Sequence, residues 1–313
     1  MSQSLTLVFC GTPRFAVPTL ETLVHAGFQL RLVVTQPDRP SGRGLALAAS
    51  PVKQSALALD VPITQPESIR NNDEFRSQLG AIRPDAIVVV GYGRIIPQWM
   101  IDLPHLGNIN LHASLLPKYR GAAPIQWAIA RGEKVTGVTT MRIDAGLDTG
   151  DILLQKETPI NPQDTAETLS PALAALGADL VVDTLRGLQA GTVRPRPQDH
   201  EKATLAPILK KDDGRIDFRR TAQETCNRLR GFQPWPGAST TFRGRNLQIW
   251  DAVVSQRSLP PGELLLESDL LFVGCQGGAA LAPLELQPEG KKRMAVRDFV
   301  HGYRPQTGEK LGS

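Results

Sequence analysis

Short apolar runs alternate with amphipathic stretches along residues 1–190. Apolar runs rich in strand formers predict strands, and apolar residues at helical spacing predict helices. The predicted strands are Leu5–Cys10, Gln29–Thr35, Asp85–Gly91, Asn108–Leu111 and Gly137–Ile143. The predicted helices are Pro18–Val24, Pro51–Leu59, Asp73–Leu79 and Thr165–Leu188. This alternation predicts an α/β fold with a doubly wound, mostly parallel sheet, in which the nearly all-apolar Asp85–Gly91 is buried on both faces.

The rest of the chain follows a different pattern. Residues 191–209 are polar, contain prolines and show weak periodicity, which is typical of a linker. After a predicted helix at Thr221–Arg230, short apolar runs separated by turn residues predict a small β-barrel or sandwich. These runs are Ala238–Phe242, Leu247–Val254, Gly262–Leu266, Leu270–Val273 and Ala279–Leu286. We therefore predict two domains, residues 1–190 and 210–313, joined by the linker at 191–209.

The composition is that of a folded protein, with 41% apolar and 21% charged residues in a chain of 313. It excludes a disordered, collagen-like or coiled-coil chain. Residues 1–205 contain 19 basic and 19 acidic residues, and residues 206–313 contain 16 and 12, so the net charge of +4 lies in the last third. Scatter produces an excess of this size as well, so charge alone does not identify a nucleic-acid-binding domain.

The cysteines and the N-terminus indicate the cellular compartment. Three widely separated cysteines argue against a disulfide framework and a thiolate zinc site, and fit a reducing compartment. The N-terminal residues lack the basic flank and apolar core of a signal peptide, and no run reaches the ~18 apolar residues of a membrane span. The five histidines lack metal-binding spacing. We expect a soluble cytoplasmic protein without a metal.

The densest chemistry lies in the segment NINLHASLLPKYRG, at residues 108–121. Asn110 and His112 are two residues apart, which on a strand places both side chains on one face. A carboxamide can donate to a developing oxyanion, and an imidazole can move a proton near neutral pH. The pair therefore suits addition and elimination at a carbonyl carbon. The same spacing also fits a hydrogen-bonded asparagine beside a core histidine.

Two loops add further candidates. The segment DAGLDTGDI holds Asp144, Asp148 and Asp151 among glycines, and is either a simple turn or a rigid loop that holds one carboxylate against His112. The segment Thr35–Lys53 follows a strand of the sheet, where α/β folds bind ligands, and is either solvated surface or a partner-binding loop. The chain lacks the glycine-rich dinucleotide and P-loop motifs and any nucleophilic serine or reactive-cysteine context.

At these residues the sequence resembles the methionyl-tRNA formyltransferases. The shared segments extend over nearly the whole chain. They are Phe9–Ala16 (FCGTPRFA), Thr35–Gly44 (TQPDRPSGRG), Ser50–Lys53 (SPVK), Asn110–Ile129 (NLHASLLPKYRGAAPIQWAI), Gly146–Ile152 (GLDTGDI), Asp213–Phe218 (DGRIDF) and Leu286–Lys292 (LQPEGKK). The resemblance implies a formyltransferase-type Rossmann-like domain followed by a smaller C-terminal OB-like β-barrel domain.

The resemblance also implies roles for individual residues. The amino group of methionine on initiator tRNA would attack the formyl carbon of 10-formyltetrahydrofolate, a cosubstrate. Asn110 would donate to the oxyanion, His112 would assist proton transfer, and Asp148 would hold His112. The folate site would be built from Ser114, Leu115, Leu116 and Pro117 together with Arg94, Ile95 and Ile96. The tRNA contacts would be Arg39, Arg43, Lys53, Lys210 and Lys211, and the enzyme would act as a monomer.

Some positions depart from the family pattern. Leu45–Ala49 stands where the family usually carries lysines, so this loop is less basic than in its relatives. Trp127, Leu205 and Phe218 also differ from the usual residues, and none belongs to the catalytic set. The Asn-x-His pair is shared with sugar-amine formyltransferases and formyltetrahydrofolate hydrolases, and a non-catalytic RNA-binding module is a further alternative. The Thr35–Lys53 loop and the C-terminal domain favour the tRNA enzyme.

Overall fold

The structure is a computed structural model that describes residues 4–41 and 46–312. The chain divides into two compact units. The first unit comprises the residues up to Gly121, Thr136–Thr158 and Ser170–Leu205, and the second comprises Ala122–Val135, Pro159–Leu169 and the residues from Ala206 onward. The domain boundaries at residues 190 and 210 stay a prediction.

A mostly parallel sheet forms the centre of the first unit. The strands, in chain order, are β1 Thr6–Gly11, β2 Gln29–Val34, β3 Arg39–Ser41, β4 Ala46–Ala48, β5 Ile63–Thr64, β6 Ala86–Val90, β7 Asn108–His112, β8 Val135–Arg142 and β9 Ile152–Pro159. The sheet order is β5-β2-β1-β6-β7-β8-β9, whereas β3 and β4 form a separate antiparallel ribbon. Pairing is parallel from β5 to β7 and antiparallel between β7 and β8. The predicted fold class is confirmed.

Helices follow most of these strands. In chain order they are α1 Val17–His25, α2 Pro51–Ala58, α3 Asp73–Ile82, α4 Gln98–Ile101, α5 Pro124–Ala130, α6 Ala166–Gln189, α7 Ala222–Gly231 and α8 Val296–Tyr303. Side-chain caps mark where α2 and α3 begin, because the Ser50 oxygen accepts the Lys53 N–H and the Asn72 oxygen accepts the Phe75 N–H. By length and composition α6 is apolar enough to cross a membrane, but 56% of its apolar window is buried inside the protein, as in a core helix.

The core of the first unit follows from strand alternation. Val8 and Cys10 of β1 point to the same face as Ile87 and Val89 of β6, and this face packs in one apolar cluster with Phe75 of α3. Every residue of β6 is buried, as the apolar run predicts. Strand β7 belongs to this packed sheet and ends in the polar residue His112.

An antiparallel sheet dominates the second unit. Its strands are β10 Ser239–Phe242, β11 Arg245–Ser255, β12 Leu264–Glu267, β13 Leu270–Gly274, β14 Ala280–Pro288 and β15 Met294–Ala295. The order is β10-β11-β14-β13-β12, with β15 paired to β14. Over residues 206–312 no pairing joins β12 to β10, so the sheet is OB-like without closing into a barrel. A capping box between Thr221 and Glu224 starts α7, which packs on the core of this sheet.

Candidate active site

Strand β7 presents Asn110 and His112 on one face. Asn110 pairs with Val89 of β6 and with Met141 of β8, so it sits in the middle of the sheet. His112 is buried, with 6% exposure, whereas Asn110 is partly exposed. Within the described part of the chain, the Asn110 carboxamide has no hydrogen-bond partner, so its N–H groups remain available to a ligand.

Both ring nitrogens of His112 face oxygen atoms. Nε2 lies 2.9 Å from the main-chain oxygen of Tyr119. A carbonyl only accepts, so Nε2 carries a proton in this contact. Nδ1 lies 3.7 Å from Oδ2 of Asp148, which is too long for a hydrogen bond and close enough for an ion pair. The imidazole is therefore held at one nitrogen and faces a carboxylate with the other.

The loop between β8 and β9 brings Asp148 to this position. Asp148 has a left-handed backbone, with φ of 52°, and its Oδ2 accepts the N–H of Gly121 at 2.8 Å. Asp144 has a different role, since its carboxylate accepts the N–H of Gly146 and the hydroxyl of Thr149. Of the loop carboxylates, Asp148 is the one that the described structure pairs with His112.

Gly150 gives the tightest approach in this loop, and we expect Gly150→Ala to displace it. A Cβ at this position would lie 1.9 Å from the main-chain oxygen of Arg142. Relieving such a clash costs about 1–3 kcal/mol of stability, and it moves Asp148 away from His112. The melting temperature, measured by thermal unfolding, and kcat should both fall. Gly80→Ala is the matched control, because its Cβ meets no atom within 4 Å. Full activity of Gly150→Ala would contradict this view of the loop.

Hydrogen bonds within the protein hold the segment from Ser114 to Pro117 in place. The Ser114 hydroxyl donates to the Lys118 oxygen at 2.6 Å, and Leu116 is buried, with its carbonyl accepting from Gln155 at 2.9 Å. The peptide bond between Leu116 and Pro117 is cis. Since the Ser114 and Leu116 side chains are used within the protein, Leu115 and Pro117 are the partly exposed side chains of the segment.

The loop after β6 presents main-chain polar groups. Among the described residues, the amides and carbonyls of Arg94, Ile95 and Ile96 have no hydrogen-bond partners. The Arg94 guanidinium donates to the carbonyl of Glu67, and Ile96 packs into the apolar cluster of the first unit. Ile95 is 90% exposed. A turn with free donors and acceptors beside an exposed apolar side chain suits a flat heterocycle.

Comparison with known proteins identifies the family. Residues 5–185 match the formyl transferase family model, and residues 208–304 match the model of the formyl transferase C-terminal domain. The chain is 68% identical over 306 residues to the methionyl-tRNA formyltransferase of Koribacter versatilis, covering 98% of both chains. It is 60% identical to that of Acidobacterium capsulatum, covering 98% of this chain and 99% of that protein. The chain belongs to the methionyl-tRNA formyltransferase family.

Solved structures confirm the fold. The sugar 3N-formyl transferase WlaRD, determined with dTDP and 5-N-formyl-THF, has a TM-score of 0.67 at 19% identity, covering 93% of this chain and all of that chain. An N-formyltransferase from Helicobacter canadensis, in complex with folinic acid and dTDP-3-aminofucose, has a TM-score of 0.66 at 19% identity, covering 91% of this chain and all of that chain. At this identity the likeness shows the shared fold alone.

Of the first-unit residues that the family pattern predicts as tRNA contacts, Arg39 lies in β3 and Lys53 lies in α2, whereas Arg43 lies outside the described residues. Arg39 is exposed and pairs with Ala48. Lys53 is held by an ion pair of 2.6 Å to Asp38. Lys53, together with Gln65, lowers the pKa of the Asp38 carboxyl. The ion pair therefore occupies the Lys53 ammonium, whereas the Arg39 side chain has no hydrogen-bond or ion-pair partner among the described residues.

In the second unit, Lys210 and Lys211 are both exposed at the start of a short 3-10 turn. The main-chain N–H of Lys210 donates to the carboxylate of Asp213. This contact does not involve the ammonium group of either lysine. Sequence reasoning did not find Tyr119, Gly121 or Gln198, which contact His112 or Asp148 through main-chain or amide groups. The sequence marks Tyr119 and Gly121 only as part of the shared KYRG motif, and it gives no indication of Gln198.

Proposed function

We propose that Asn110, His112 and Asp148 form the catalytic centre for transfer of a formyl group from 10-formyltetrahydrofolate to methionyl initiator tRNA. The observation that carries the proposal is the placement of Asn110 and His112 on one face of β7, with Asp148 held opposite the histidine. Membership of the family supports the reaction class and the acceptor.

The chemistry is a direct acyl transfer. The neutral α-amino group of methionine attacks the formyl carbon, a C–N bond forms, and the carbonyl oxygen becomes an oxyanion. Asn110 donates a hydrogen bond to that oxyanion. Collapse of the tetrahedral intermediate breaks the bond to N10, and N10 receives the proton that the amine loses. His112 moves this proton, and Asp148 stabilises the imidazolium during transfer.

The folate binds at two segments of the first unit. The free main-chain groups of Arg94, Ile95 and Ile96 bind the pterin edge, and Ile95 covers its face. The segment from Ser114 to Pro117 supplies the opposite side, with Leu115 and Pro117 as contact surfaces. The internal hydrogen bonds of Ser114 and Leu116 hold that segment in shape. A preformed apolar slot with a few aimed polar groups is the usual design of such sites.

The tRNA binds through lysine and arginine side chains. Arg39 and Arg43 approach the acceptor stem, and Lys210 and Lys211 contact phosphates of the same molecule. Phosphate contacts fix the register of a nucleic acid, whereas a weak end base pair provides selection by shape. The basic excess in residues 206–313 raises the association rate with tRNA. The enzyme acts as a cytoplasmic monomer.

We expect Arg43→Ala to separate the two substrates. Loss of one nucleic-acid contact costs about 1–3 kcal/mol, so kcat/KM for initiator tRNA should fall by about 10-fold or more, with unchanged folate affinity. Steady-state formylation and folate titration measure the two effects. Arg31→Ala is the matched control, because Arg31 is exposed on β2 and bonds only to Gln29 among the described residues. Equal losses for both substrates would contradict this division of roles.

An acceptor panel tests the function itself. The protein is incubated with 10-formyltetrahydrofolate and methionyl initiator tRNA, methionyl elongator tRNA, a nucleotide-linked amino sugar, or buffer alone. Formyl transfer should occur to initiator tRNA and exceed transfer to elongator tRNA. Preferred transfer to the amino sugar would instead establish a sugar formyltransferase, and release of formate in buffer would establish a hydrolase.

A further inference from the structure

Gln198 lies in the segment that the sequence predicts as a linker, yet it is 5% exposed. Both ends of its amide are used. Nε2 donates to the carbonyl of Asp148 at 2.9 Å and to that of Gly150 at 2.7 Å. Oε1 accepts from Nε of Arg120 at 3.1 Å and from Nη2 of Arg120 at 2.7 Å. One buried side chain thus joins the Asp148 loop to the segment that follows β7.

These contacts close a ring of interactions around the catalytic carboxylate. Arg120 is directly followed by Gly121, whose N–H donates to Oδ2 of Asp148. Gln198 therefore holds the main chain of Asp148 and, through Arg120, supports the residue that holds its carboxylate. Tyr119, on the other side of Arg120, accepts from His112. This ring of contacts fixes the position of Asp148 relative to His112.

The backbone at Asp148 requires such support. A left-handed conformation in a residue other than glycine costs about 1–3 kcal/mol and persists only when its surroundings impose it. The two hydrogen bonds from the Gln198 side-chain amide go to the carbonyls of Asp148 and Gly150, on either side of Thr149. Without these two hydrogen bonds, the Asp148 carboxylate keeps only its hydrogen bond from the N–H of Gly121. The distance of 3.7 Å between Asp148 Oδ2 and His112 Nδ1 can then increase.

Arg120 contributes a buried cation to the same ring of contacts. It is 7% exposed, and its partners among the described residues are Gln198 and Nδ1 of His200, at 3.1 Å. A guanidinium only donates, so Nδ1 of His200 is unprotonated in this contact. A forked contact of this kind fixes orientation better than a single bond does. The fork holds the Gln198 amide with its N–H groups toward the Asp148 loop.

We propose that Gln198 is a positioning residue that, together with Arg120, fixes Asp148 opposite His112. The proposal rests on the proposed function, in which Asp148 supports proton transfer by His112. It assigns residue 198 to the catalytic machinery although the residue touches neither substrate nor the reacting atoms. Its effect should therefore appear in kcat, because the formation of substrate complexes does not require the Asp148 carboxylate.

The decisive variant is Gln198→Glu. Glutamate keeps oxygen atoms toward Arg120 and removes the N–H donors to the loop carbonyls. Since a misplacement of about 1 Å can cost 10²-fold, kcat should fall by about 10- to 100-fold, with KM for folate and tRNA changed by less than about twofold. In an Asp148→Asn background the same substitution should cause less than about a twofold further loss, because groups that act as a unit are not additive.

Asn108→Asp is the matched control. Asn108 is equally buried, and its Nδ2 donates to the carbonyls of Met100 and Ile101, so the same chemical change removes the same kind of contacts away from the Asp148 loop. Measured below its melting temperature, it should keep kcat within about twofold of the wild type. If Gln198→Glu does not fold, Arg120→Lys, which keeps the charge and loses the fork, should lower kcat by about 3- to 10-fold.

The outcomes separate the two proposals. An additive loss in the Asp148→Asn background, a rise in KM without loss of kcat, or a kcat equal to that of Asn108→Asp would overturn the positioning role in an enzyme that still formylates tRNA. A wild type that transfers no formyl group to methionyl-tRNA would overturn the proposed function, and the positioning role with it.

Discussion

His112→Ala lowers kcat for formyl transfer by about 10²- to 10⁴-fold, the range that a positioned general acid–base group contributes. In the proposed mechanism the imidazole carries the proton between the attacking amine and N10, and no other histidine in the described chain lies against Asp148. Single-turnover formylation measures the loss, and circular dichroism checks that the fold survives.

His105→Ala is the control for this variant. His105 belongs to the same unit, is exposed, and lies 3.6 Å from Asp85, so it has a similar carboxylate neighbour without a place in the proposed mechanism. It should keep kcat within about twofold of the wild type. Near-normal formylation by His112→Ala would remove the imidazole from the mechanism.

Asn110→Ala lowers kcat by about 10²- to 10³-fold, since loss of one oxyanion donor costs about 2.7–4 kcal/mol. The KM values should hardly change, because the contact strengthens only as the oxyanion forms. Rapid-quench measurement of the first turnover isolates this step from product release.

Asn110→Asp distinguishes hydrogen-bond donation from space filling. Aspartate has the same shape, but a carboxylate oxygen repels the oxyanion, so the loss should equal or exceed that of the alanine variant. Asn71→Ala, an exposed asparagine of the same unit, is the neutral control. An Asn110→Asp enzyme with normal kcat would show that Asn110 does not donate to the reacting oxygen.

The elements that position the proposed catalytic centre could be predicted from local patterns. The apolar run at 85–91 and the strand formers at 108–111 determine β6 and β7, and period-two alternation then places Asn110 and His112 on one face. The resemblance to a family assigned the roles, because the same spacing also fits a structural asparagine and a core histidine.

Other elements could not be predicted so easily. Strand β9 begins directly after the Asp148 loop, and its polar second half hides the strand pattern. Helix α8 has apolar residues at Val296, Phe299 and Val300, which is helical spacing, but polar residues fill the eight-residue helix around them. The predicted exposed loop at 35–53 contains the β3–β4 ribbon, whose three-residue strands are too short for a periodic signal.

The supporting contacts of the site lie beyond sequence patterns for a different reason. Gln198 is a polar residue in a proline-bearing segment, and polar residues there usually face solvent. Its burial arises because β9 pairs with Arg196, which brings the next residues against the Asp148 loop. Long-range pairing of this kind depends on the whole fold, and no local property of residues 191–209 indicates it.

A single-turnover experiment decides whether the amine attacks the formyl group directly at Asn110 and His112. Enzyme in excess is mixed with methionyl initiator tRNA and 10-formyltetrahydrofolate, and formylmethionyl-tRNA and tetrahydrofolate are quantified over time. Both products should appear together, with one formyl group per tRNA, and His112→Ala and Asn110→Ala should slow the formation of both equally. Release of tetrahydrofolate ahead of tRNA formylation, with the formyl group passed to water as formate or to the enzyme, would contradict direct attack by the amine at this centre.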